Sequence, residues 1–507
     1  MTAARKPTTS SLSDFSTDGL LVYEYDGIPC RRLTADSRAV KPGDLFLAFP
    51  GAHADGRSFI DGAIHAGAVG VLWEPDGFVW SEAWSIPNRS VAGLRARVSG
   101  LAGEFYGFPS RHMRVVGVTG TNGKTTCSHW LAAVLNACGS PTTVVGTLGE
   151  GFSGRLRETG HTTPDPIGLQ AMLARHRDEG AHHCVMEVSS HALDQGRVSG
   201  VAFHGALFTN LTRDHLDYHG SMEAYGAAKI RLFDNPGLAY AVINLDDGFA
   251  GRLLTVLQSV QVPVLGYSLE EKPGPVPGLE VIRLQQETGN GLGGKMLRVI
   301  SPWGAMEIET APLGRFNLSN LLAVAGAGLL EELPPAALAK ALSALQAPPG
   351  RMQGWGGGDL PNVVVDFAHT PDALGQVLLA LRPAVAERGR LWVILGCGGE
   401  RDVGKRPLMG QMAEQRADYV VLTSDNPRNE DPQEIIRQIR AGMTHAPCLE
   451  EVDRGEAIRQ VLARAAAGDV VVIAGKGHET VQELADGVSV PWSDGAAVEA
   501  WIRERRA

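Results

Sequence analysis

The chain has few cysteines, no long apolar run and no excess of positive charge, and each absence excludes a class of protein. The six cysteines form no Cys-x-x-Cys pair, so the sequence predicts neither a zinc site nor a disulfide framework. No uninterrupted apolar stretch approaches ~18 residues, so we expect no membrane insertion. The formal net charge of −10, without a run of Lys or Arg, argues against binding to nucleic acid.

The N-terminal segment has little apolar character. Residues 1–13 are polar and contain no hydrophobic region, and we therefore expect a cytoplasmic protein. The whole chain is 44% hydrophobic and 20% charged, which is typical of a globular protein that buries sizeable cores. Its length of 507 residues predicts roughly two to four domains.

The most informative stretch is a turn between a predicted buried strand at 115–118 and a predicted helix at 127–137. Backbone N–H groups at a helix start can surround phosphates, the Lys124 ammonium supplies positive charge, and the Thr125 hydroxyl can bind Mg²⁺. The pattern therefore predicts that the chain binds a nucleoside triphosphate. The turn consists of Gly120, Thr121, Asn122, Gly123, Lys124, Thr125 and Thr126.

This turn departs from the generic Walker sequence at one position, because that pattern requires Gly where the chain has Val118. Glycines followed by a lysine after a strand can also form an ordinary tight turn, which is the alternative interpretation. The residues that follow along the chain decide between the two.

Breaks in the pattern of strands and helices divide the chain into three predicted α/β domains. Pro109 precedes the strand of the phosphate loop, and Pro348-Pro349-Gly350 interrupts the later alternation of strands and helices. We therefore predict domains at 1–110, 111–347 and 348–507. The central one is expected to be a P-loop-type ATPase domain with a mostly parallel sheet. The clearest strands of the first two domains are predicted at 44–49, 68–73, 183–188, 206–210 and 240–245.

Two Gly- and Pro-rich passages, at 272–278 and 288–294, are predicted to be surface loops or hairpins within the central domain. The last domain is predicted to be Rossmann-like. Four β-branched runs, at 363–367, 391–395, 419–424 and 470–474, each lead into a polar loop. Ligands bind beyond the carboxyl ends of strands in such sheets, so these loops predict a second binding site.

Polar residues after two central strands suggest a metal site near the phosphate loop. Glu187 ends one predicted strand, and Asp214-His215-Leu216-Asp217 follows another. A carboxylate at a strand end beside a phosphate loop is a common ligand of Mg²⁺. Each of these groups could equally be a solvated cap or a polar turn, and Arg197 and Arg213 could be surface groups.

The loop Asp425-Asn426-Pro427-Arg428 suggests recognition of a carboxylate. The planar Arg428 fork can bind a carboxylate through two hydrogen bonds, and Pro427 would stiffen the loop. Glu479, at a neighbouring strand end, could receive an ammonium group. Together the Arg428 and Glu479 side chains would suit a zwitterionic amino acid. An Asx-type turn with a surface arginine is the alternative interpretation.

These blocks resemble the Mur ligase family over nearly the whole chain. The matching stretches are 120–126, 187–191, 210–219, 314–317, 349–352 and 425–428. In that family the Asp425–Arg428 block marks meso-diaminopimelate as the added amino acid, and lysine-adding relatives carry a different block without this arginine. The resemblance implies an ATP-dependent ligase that extends UDP-N-acetylmuramoyl-L-alanyl-D-glutamate during peptidoglycan synthesis, and we expect a monomer.

The chemistry that the resemblance implies passes through an acyl phosphate. ATP phosphorylates the D-glutamyl carboxylate, and the amine of the incoming amino acid then displaces phosphate. Lys124 and the loop amides would stabilise the transferred phosphoryl group. The family carbamylates a lysine at the position of Lys229, and that group helps to hold a second Mg²⁺. The implied metal ligands are Thr125, Glu187, His215 and Lys229.

The resemblance also implies three groups of substrate contacts. Asn317 and His369 would lie on the adenine and ribose side. Ser37, His53 and Ala54 would contact the uridine diphosphate, and the muramoyl peptide would be contacted by Thr162, Thr163, Ser189, Gln195 and Arg197. The diaminopimelate pocket would comprise Arg401, Asp425, Asn426, Pro427, Arg428, Gly475 and Glu479.

Some positions depart from the family pattern, and other functions are compatible with parts of it. His161 replaces an expected Asn, Phe367 a Tyr and Glu400 an Asp, and no Arg follows Asp494. The alternatives are an L-lysine-adding ligase of the same family, a folylpolyglutamate synthase-like ligase, and a nucleotide-gated switch or transporter ATPase. The last would hydrolyse ATP without any amino acid.

Overall fold

The computed structural model describes residues 23–25, 27–51, 54–270, 278–289, 295–310 and 314–506. They form α/β units in the order expected from the sequence, each with a parallel or mostly parallel sheet. The predicted three-domain α/β fold is confirmed. Within these residues, no helix is long and apolar enough to cross a membrane.

The first unit contains a parallel sheet with the strand order β3-β4-β5-β6, beside a small antiparallel pair β1-β2. Strand β4 is buried along its whole length, which explains its nearly continuous apolar sequence. The predicted strands at 44–49 and 68–73 are confirmed as β4 and β5. The elements are β1 (Tyr23–Tyr25), β2 (Ile28–Cys30), β3 (Arg32–Thr34), β4 (Asp44–Ala48), α1 (Ile60–His65), β5 (Gly70–Trp73), β6 (Asn88–Ser90) and α2 (Leu94–Phe105).

The central unit surrounds one large sheet, which orders the described strands as β16-β15-β14-β13-β12-β11-β7-β10-β8-β9. Its strands are β7 (Arg114–Thr119), β8 (Thr142–Gly146), β9 (Gly149–Phe152), β10 (His183–Glu187), β11 (Gly205–Phe208), β12 (Tyr240–Asn244), β13 (Val264–Ser268), β14 (Glu280–Thr288), β15 (Lys295–Ser301) and β16 (Gly304–Thr310). Its helices are α3 (Lys124–Ala137), α4 (Pro166–Asp178), α5 (Ser190–Asp194), α6 (Leu216–His219), α7 (Met222–Phe233), α8 (Ala250–Ser259), α9 (Arg315–Leu330) and α10 (Pro335–Ser343).

The middle of this sheet is parallel, whereas β15, β16 and β9 pair antiparallel with their neighbours at its two edges. The predicted strands at 183–188, 206–210 and 240–245 are confirmed as β10, β11 and β12. The passage 288–294 joins the antiparallel strands β14 and β15, although residues 290–294 lie outside the described residues. Most of the passage 272–278 also lies outside them.

The last unit contains a sheet of order β17-β18-β22-β19-β20-β21, in which β17 alone among the described strands runs antiparallel. All four strands predicted here are confirmed. The elements are β17 (Gln353–Gly356), β18 (Asn362–Asp366), α11 (Pro371–Leu381), β19 (Leu391–Leu395), α12 (Lys405–Arg416), β20 (Tyr419–Leu422), α13 (Pro432–Arg440), β21 (Leu449–Glu450), α14 (Arg454–Arg464), β22 (Val470–Ala474), β23 (Val481–Glu483), β24 (Ser489–Pro491) and α15 (Asp494–Arg506).

A buried ion pair fixes the end of the last unit. The Arg454 guanidinium donates to both carboxylate oxygens of Asp494, at 2.8 and 2.7 Å, and also to the carbonyl oxygens of Ser424 and Ala474. Both side chains are almost completely buried. Asp494, after which the family pattern has an Arg that this chain lacks, therefore ties helices α14 and α15 to the carboxyl ends of β20 and β22.

Candidate active site

The predicted phosphate loop connects β7 to α3, and two of its glycines are required by close contacts. Gly120 has φ +152°, and a Cβ there would lie 1.8 Å from Thr209 Oγ1. Gly123 has φ +87°, and a Cβ there would lie 2.5 Å from Asn320 Oδ1. Since side chains rarely adopt such backbone angles and would collide here, only glycine fits both positions. The alternative of an ordinary tight turn explains neither constraint.

Lys124 begins α3, and its side chain folds back over the loop. Its Nζ donates to the carbonyl oxygens of Gly120 and Thr121, at 3.0 and 2.9 Å. Burial lowers the pKa of Lys124, partly offset by the carboxylates of Glu187 and Asp214. The ammonium is thus held at the helix start, where the first N–H groups of α3 and the helix dipole favour an anion.

Thr125 and Glu187 meet beside this loop. Thr125 Oγ1 donates to Glu187 Oε2 at 3.0 Å, and Arg351 Nη2 donates to Thr125 Oγ1 at 3.0 Å. Thr147 donates to the same carboxylate through its backbone N–H, at 2.8 Å, and its hydroxyl, at 3.2 Å. Glu187 is 1% exposed, so these donors are what keeps a carboxylate in the protein interior.

The structure places Lys229 directly under the phosphate loop rather than in solvent. Its side chain is buried, its Nζ donates to the Gly120 carbonyl oxygen at 2.8 Å and lies 4.4 Å from the centre of the Tyr225 ring. Burial and the nearby Lys124 ammonium hold the pKa of Lys229 well below its usual range. Its sequence on helix α7 is that of an ordinary solvated lysine, and only the resemblance had assigned it a role.

His215 stands at the edge of the cleft in a left-handed backbone conformation, φ +54°. Its Nε2 lies 3.4 Å from Asp214 Oδ2, and burial lowers the pKa of His215 to about 3. Burial opposes ionisation of Asp214, but His369 and the Lys405 ammonium hold its pKa well below its usual range. Both partners belong to the last unit: His369 Nε2 and Lys405 Nζ each lie 3.5 Å from the Asp214 carboxylate.

Further contacts connect the central unit to the last one. Arg213 donates to both carboxylate oxygens of Asp402 at 3.2 Å, and Asn122 Nδ2 donates to Thr370 Oγ1 at 3.4 Å. A cleft of about 320 Å³ lies between these contacts. The predicted site residues that line it are Thr121, Asn122, Gly123, Lys124, Thr125, Thr162, Glu187, Ser189, His215, His369, Arg401, Asp425, Asn426, Arg428, Gly475 and Glu479.

The loop 425–428 contributes Asp425, Asn426 and Arg428 to the wall of this cleft. Arg428 has φ +50°; its Nη1 donates to the Gly399 carbonyl oxygen at 2.8 Å, and its Nη2 lies 2.7 Å from Glu483 Oε2. Glu479 Oε2 accepts from Asn426 Nδ2 at 2.9 Å and from Lys476 Nζ at 2.6 Å. The two charged groups predicted to face an amino acid therefore both lie at the cleft, each with a partner of the protein's own.

Close packing leaves room only for glycine at two positions of this pocket, Gly475 and Gly399. Gly475 has φ +113°, and a Cβ there would lie 2.6 Å from Asp425 Oδ2. Pro427 places its carbonyl oxygen so close to Gly399 that a Cβ on that glycine would lie 1.9 Å away. The ends of β19, β20 and β22 are thereby packed together, as expected for loops at one edge of a parallel sheet.

The residues predicted to contact the muramoyl peptide form a connected group beside Glu187. Thr163 Oγ1 donates to the Glu187 carbonyl oxygen at 2.9 Å, and Arg197 Nη1 donates to the Thr163 carbonyl oxygen at 2.9 Å. Arg197 Nε also donates to Gln195 Oε1 at 2.9 Å. Thr162 Oγ1 lies 3.1 Å from Thr147 Oγ1.

Ser37 and Ala54 lie in a second cleft, of about 1110 Å³, between the first unit and helix α4. His53, predicted to act with them, lies outside the described residues. Asn317 is buried on α9, where its Oδ1 accepts from Asn320 Nδ2 at 3.2 Å, and Asn320 in turn lies next to Gly123 of the phosphate loop.

The sequence does not indicate several residues that line the cleft or contact its wall. Arg351 belongs to a block that matched the family, but nothing in the sequence indicates that it reaches Thr125. Lys405 follows Arg401 by four positions, a spacing that resembles any helix start. Thr147, Asp402 and Glu483 carry no local pattern. All of them contact partners that are distant in sequence, which explains why no local pattern indicates them.

The oxygen donors beside the loop suit Mg²⁺. Within the described ranges, no three His, Cys, Asp or Glu side chains cluster as metal ligands. Mg²⁺ in nucleotide enzymes is commonly held by one or two protein oxygens, with phosphate oxygens and waters completing the octahedron. The hydroxyl of Thr125 and the carboxylate of Glu187, 3.0 Å apart beside the phosphate loop, provide such a pair.

A phosphate loop on a mostly parallel sheet, with a second α/β unit across a shared cleft, defines the class of nucleotide-binding α/β enzymes. The chain belongs to the Mur ligase family, whose members are ATP-dependent, amide-forming ligases. Three family models match: the Mur ligase catalytic domain at residues 30–106, the Mur ligase middle domain at 118–328 and the Mur ligase glutamate ligase domain at 350–477.

The similar curated proteins share one description. The chain is 50% identical, over 92% of its length and 93% of the relative's, to a protein of Chromobacterium violaceum. It is 44% identical, over 98% of its length and 97% of the relative's, to a protein of Nitrosomonas europaea. Both relatives are named UDP-N-acetylmuramoyl-L-alanyl-D-glutamate–2,6-diaminopimelate ligase.

Solved structures agree at the level of fold. A structure of a ligase with the same name is 37% identical and covers 94% of this chain, with 96% of its own chain covered and a TM-score of 0.65. A MurF structure from Acinetobacter baumannii, 18% identical, covers 88% of this chain, with 90% of its own chain covered and a TM-score of 0.62.

Proposed function

We infer that this protein is the ligase that adds meso-diaminopimelate to UDP-N-acetylmuramoyl-L-alanyl-D-glutamate at the expense of ATP, in the synthesis of peptidoglycan precursors. One observation carries the assignment: a single cleft is lined both by Lys124 of the phosphate loop and by Arg428 of the 425–428 loop. An acyl phosphate formed at the phosphate loop can therefore meet an amino acid bound in the same cleft.

The phosphate loop would hold the triphosphate of ATP. Loop amides and Lys124 would stabilise the charge on the transferred phosphoryl group, because their positions are fixed before the reaction. Thr125 and Glu187 would hold Mg²⁺, which when bound neutralises phosphate charge. Asn317, hydrogen-bonded to the Asn320 that lies against Gly123, and His369, at the cleft wall, are assigned to the adenosine side.

Lys229 and His215 would complete the metal-binding end of the cleft. A carbamate forms when a neutral amine adds to carbon dioxide, and the buried, low-pKa Lys229 provides such an amine. The carbamate, formed with loss of a proton, would carry a negative charge beside the phosphate loop, because Lys229 Nζ lies under that loop, 2.8 Å from the Gly120 carbonyl oxygen. Burial keeps His215 neutral, which is the form that binds metal ions.

The two clefts are assigned to the nucleotide-sugar peptide. Ser37 and Ala54, with His53, would bind the uridine diphosphate in the larger cleft. Thr162, Thr163, Ser189, Gln195 and Arg197 would then lead the peptide towards Glu187. In this assignment the domains at 1–110, 111–347 and 348–507 bind the UDP-sugar, ATP and the amino acid.

Selection of diaminopimelate over L-lysine rests on the distal carboxylate. Meso-diaminopimelate differs from lysine by this one group, and Arg428 would pair with it while Glu479 receives the amine beside it. Arg401, Asp425, Asn426, Pro427 and Gly475 complete the pocket. Lysine would leave the Arg428 position without its substrate partner, at a cost of about 2–5 kcal/mol.

We propose a monomer that works in the cytoplasm, where its nucleotide substrates are made.

The test is phosphate release with ATP, Mg²⁺ and UDP-N-acetylmuramoyl-L-alanyl-D-glutamate, comparing meso-diaminopimelate with L-lysine. We expect release that depends on diaminopimelate, with lysine near background. Preference for lysine would retain the ligase but refute the assignment of the 425–428 pocket. Release that ignores both amino acids would indicate a nucleotide-gated ATPase instead.

A further inference from the structure

The hairpin formed by β23 and β24 lies against the loop that carries Arg428, and nothing in the proposed function uses it. Its strands pair antiparallel, with Val481 opposite Pro491 and Glu483 opposite Ser489. We name residues 481–491 the specificity hairpin. Its contacts with the 424–429 segment are direct and come from both backbone and side chains.

These contacts fix the backbone of the loop. Gln482 Nε2 donates to Ser424 Oγ at 2.9 Å and to the Asp425 carbonyl oxygen at 2.6 Å. The Glu483 N–H donates to Asn426 Oδ1 at 3.0 Å, and the Arg428 N–H donates to the Glu483 carbonyl oxygen at 3.2 Å. These hydrogen bonds hold the loop against the hairpin, as a neighbouring strand would.

Such support is needed because the loop is strained at its functional residue. Arg428 adopts φ +50°, a left-handed conformation that a long side chain rarely takes. A residue in this region persists when surrounding contacts determine its conformation. Farther along, the Asp486 N–H donates to Asn429 Oδ1 at 3.0 Å, so the support continues beyond Arg428.

The side chain of Glu483 adds a constraint on the guanidinium itself. Its Oε2 lies 2.7 Å from Arg428 Nη2, while the Gly399 carbonyl oxygen accepts from Nη1 at 2.8 Å. Arg428 lines the cleft, and neither Glu483 nor Gln482 is among the residues of its wall. Glu483 thus contacts the guanidinium from outside the cleft, and it restricts the rotation of a fork whose remaining N–H groups can face a ligand.

We propose that Glu483 is a positioning residue for Arg428, and that the specificity hairpin sets the preference for an amino acid with a distal carboxylate. This inference rests on the proposed function and deepens it. A bidentate arginine–carboxylate pair depends on orientation, so a guanidinium free to rotate would bind the distal carboxylate less well. Binding of lysine, which lacks that carboxylate, would change little.

The experiment compares Glu483→Ala and Glu483→Gln with the wild-type enzyme in the phosphate-release assay. For Glu483→Ala we expect the KM for meso-diaminopimelate to rise about fivefold to tenfold, with kcat and the KM for ATP unchanged. Glu483→Gln keeps an acceptor oxygen at the same position, so we expect it to recover most of this loss. The kcat/KM ratio of diaminopimelate to lysine should fall in parallel.

Glu456→Ala is the matched control, since Glu456 also pairs with an arginine of the last unit, Arg459, but on an exposed helix face. It should leave the KM for diaminopimelate unchanged. An unchanged or lower KM in Glu483→Ala would overturn the inference, the lower value indicating that Glu483 competes with the substrate. Absence of diaminopimelate-dependent release in the wild-type enzyme would instead refute the proposed function, and this inference with it.

Discussion

Lys229 and Arg428 illustrate how single residues gain chemistry from their surroundings. Burial lowers the pKa of Lys229, because the charged amine loses hydration that the single carbonyl contact at 2.8 Å replaces only in part. Arg428 is held by contacts at both Nη atoms in a left-handed backbone conformation. In both cases the surroundings, rather than the residue type, create the reactive or selective group.

At the residue scale, replacing Lys229 by Ala should remove most of the ligase activity. The reason is that the proposed carbamate supplies a negative charge beside the phosphate loop, and alanine supplies none. Short carboxylic acids such as acetate should restore part of the rate, measured as phosphate release. The exposed Lys340→Ala variant of the same unit should behave as wild type. Full activity without added acid would remove Lys229 from the mechanism.

Arg428→Ala should raise the KM for meso-diaminopimelate by about 100-fold and leave the KM for ATP nearly unchanged, because a paired charge in a partly buried site contributes about 2–5 kcal/mol. Arg428→Lys should recover little, since an ammonium cannot form the bidentate pair. Steady-state kinetics in each substrate measure the effect, with the exposed Arg437→Ala as control. Equal effects on both KM values would exclude Arg428 from the amino-acid pocket.

At the scale of single elements, the phosphate loop and the base of the central sheet depend on close packing. Helix α3 begins at the loop and packs on α9, so Asn320 of α9 lies against Gly123. At the opposite ends of the strands, where β7 and β12 begin, Glu331 follows α9. Its carboxylate accepts from Arg114 Nη1 at 2.9 Å and from Tyr240 OH at 2.8 Å. One helix therefore connects the ATP site to a buried carboxylate.

Gly123→Ala should lower ATP-dependent turnover at least tenfold and destabilise the protein by about 1–3 kcal/mol, because the new Cβ would lie 2.5 Å from Asn320 Oδ1. Gly139, at the other end of α3, has nearly the same angle, φ +88°, but no atom within 4 Å of its hypothetical Cβ. Gly139→Ala should therefore show the backbone strain alone. Chemical denaturation and phosphate release measure both effects, and equal behaviour of the two variants would contradict the steric argument.

Glu331 should make stability depend on pH in acid. Burial opposes its ionisation, but hydrogen bonds from His183, Tyr240 and Arg114 lower the pKa of Glu331 to about 2, from 4.5. A lowered folded-state pKa stabilises the fold above pH 4.5, and this contribution disappears as the pH falls towards 2. His204, with Nε2 3.8 Å from Glu331 Oε1, also faces the carboxylate.

We therefore expect Glu331→Gln to lower the free energy of unfolding by about 2–4 kcal/mol at pH 7, and by progressively less below pH 4.5. Urea titrations at several pH values measure this difference. Glu332→Gln, at the exposed neighbouring position, should show almost none. A difference that does not change between pH 5 and pH 3 would show that the charge of Glu331 is not what stabilises the sheet.

At the scale of the whole molecule, the site exists because three units meet. Ser99 of the first unit donates to the Arg197 carbonyl oxygen at 3.0 Å, which attaches that unit beside the proposed peptide-binding group. Arg213 and Asp214 contact Asp402, His369 and Lys405 across the cleft between the other two units. An acyl phosphate is hydrolysed by water, so a cleft enclosed by such contacts would protect it.

Arg213→Ala should lower kcat/KM about tenfold while changing the thermal unfolding midpoint by less than about 2 °C. The Arg213 side chain is 41% exposed and Asp402 is 6% exposed, so we expect water to screen the exposed guanidinium and the pair to act mainly by connecting two units of the site. Arg382, 40% exposed, pairs with Asp418 within the last unit alone, so Arg382→Ala should leave catalysis intact. A loss of stability equal to the loss of activity would refute a role in joining the units.

Local sequence patterns determined much of this protein. Buried parallel strands need continuous apolar runs, and glycines next to Lys124 are required wherever a backbone approaches phosphate, so the strands and the phosphate loop were predictable. The Asp425–Arg428 loop was recognisable because turn chemistry and charge lie within four neighbouring residues. The antiparallel edge strands β15 and β16 were not predicted as strands, although their partners are neighbours in sequence; only the passage 288–294 that joins β14 to β15 was predicted, as a loop or hairpin.

Only the tertiary structure decided which charges face one another. Arg351 reaches Thr125 across 226 positions, Lys405 reaches Asp214 across 191, and Glu483 reaches Arg428 through a hairpin with no sequence signature. The burial of Lys229 likewise follows from packing against Tyr225 and the loop, not from its helix. The sequence thus fixes the local elements through backbone and hydrophobic preferences, whereas electrostatic partners depend on distances that only the packed molecule defines.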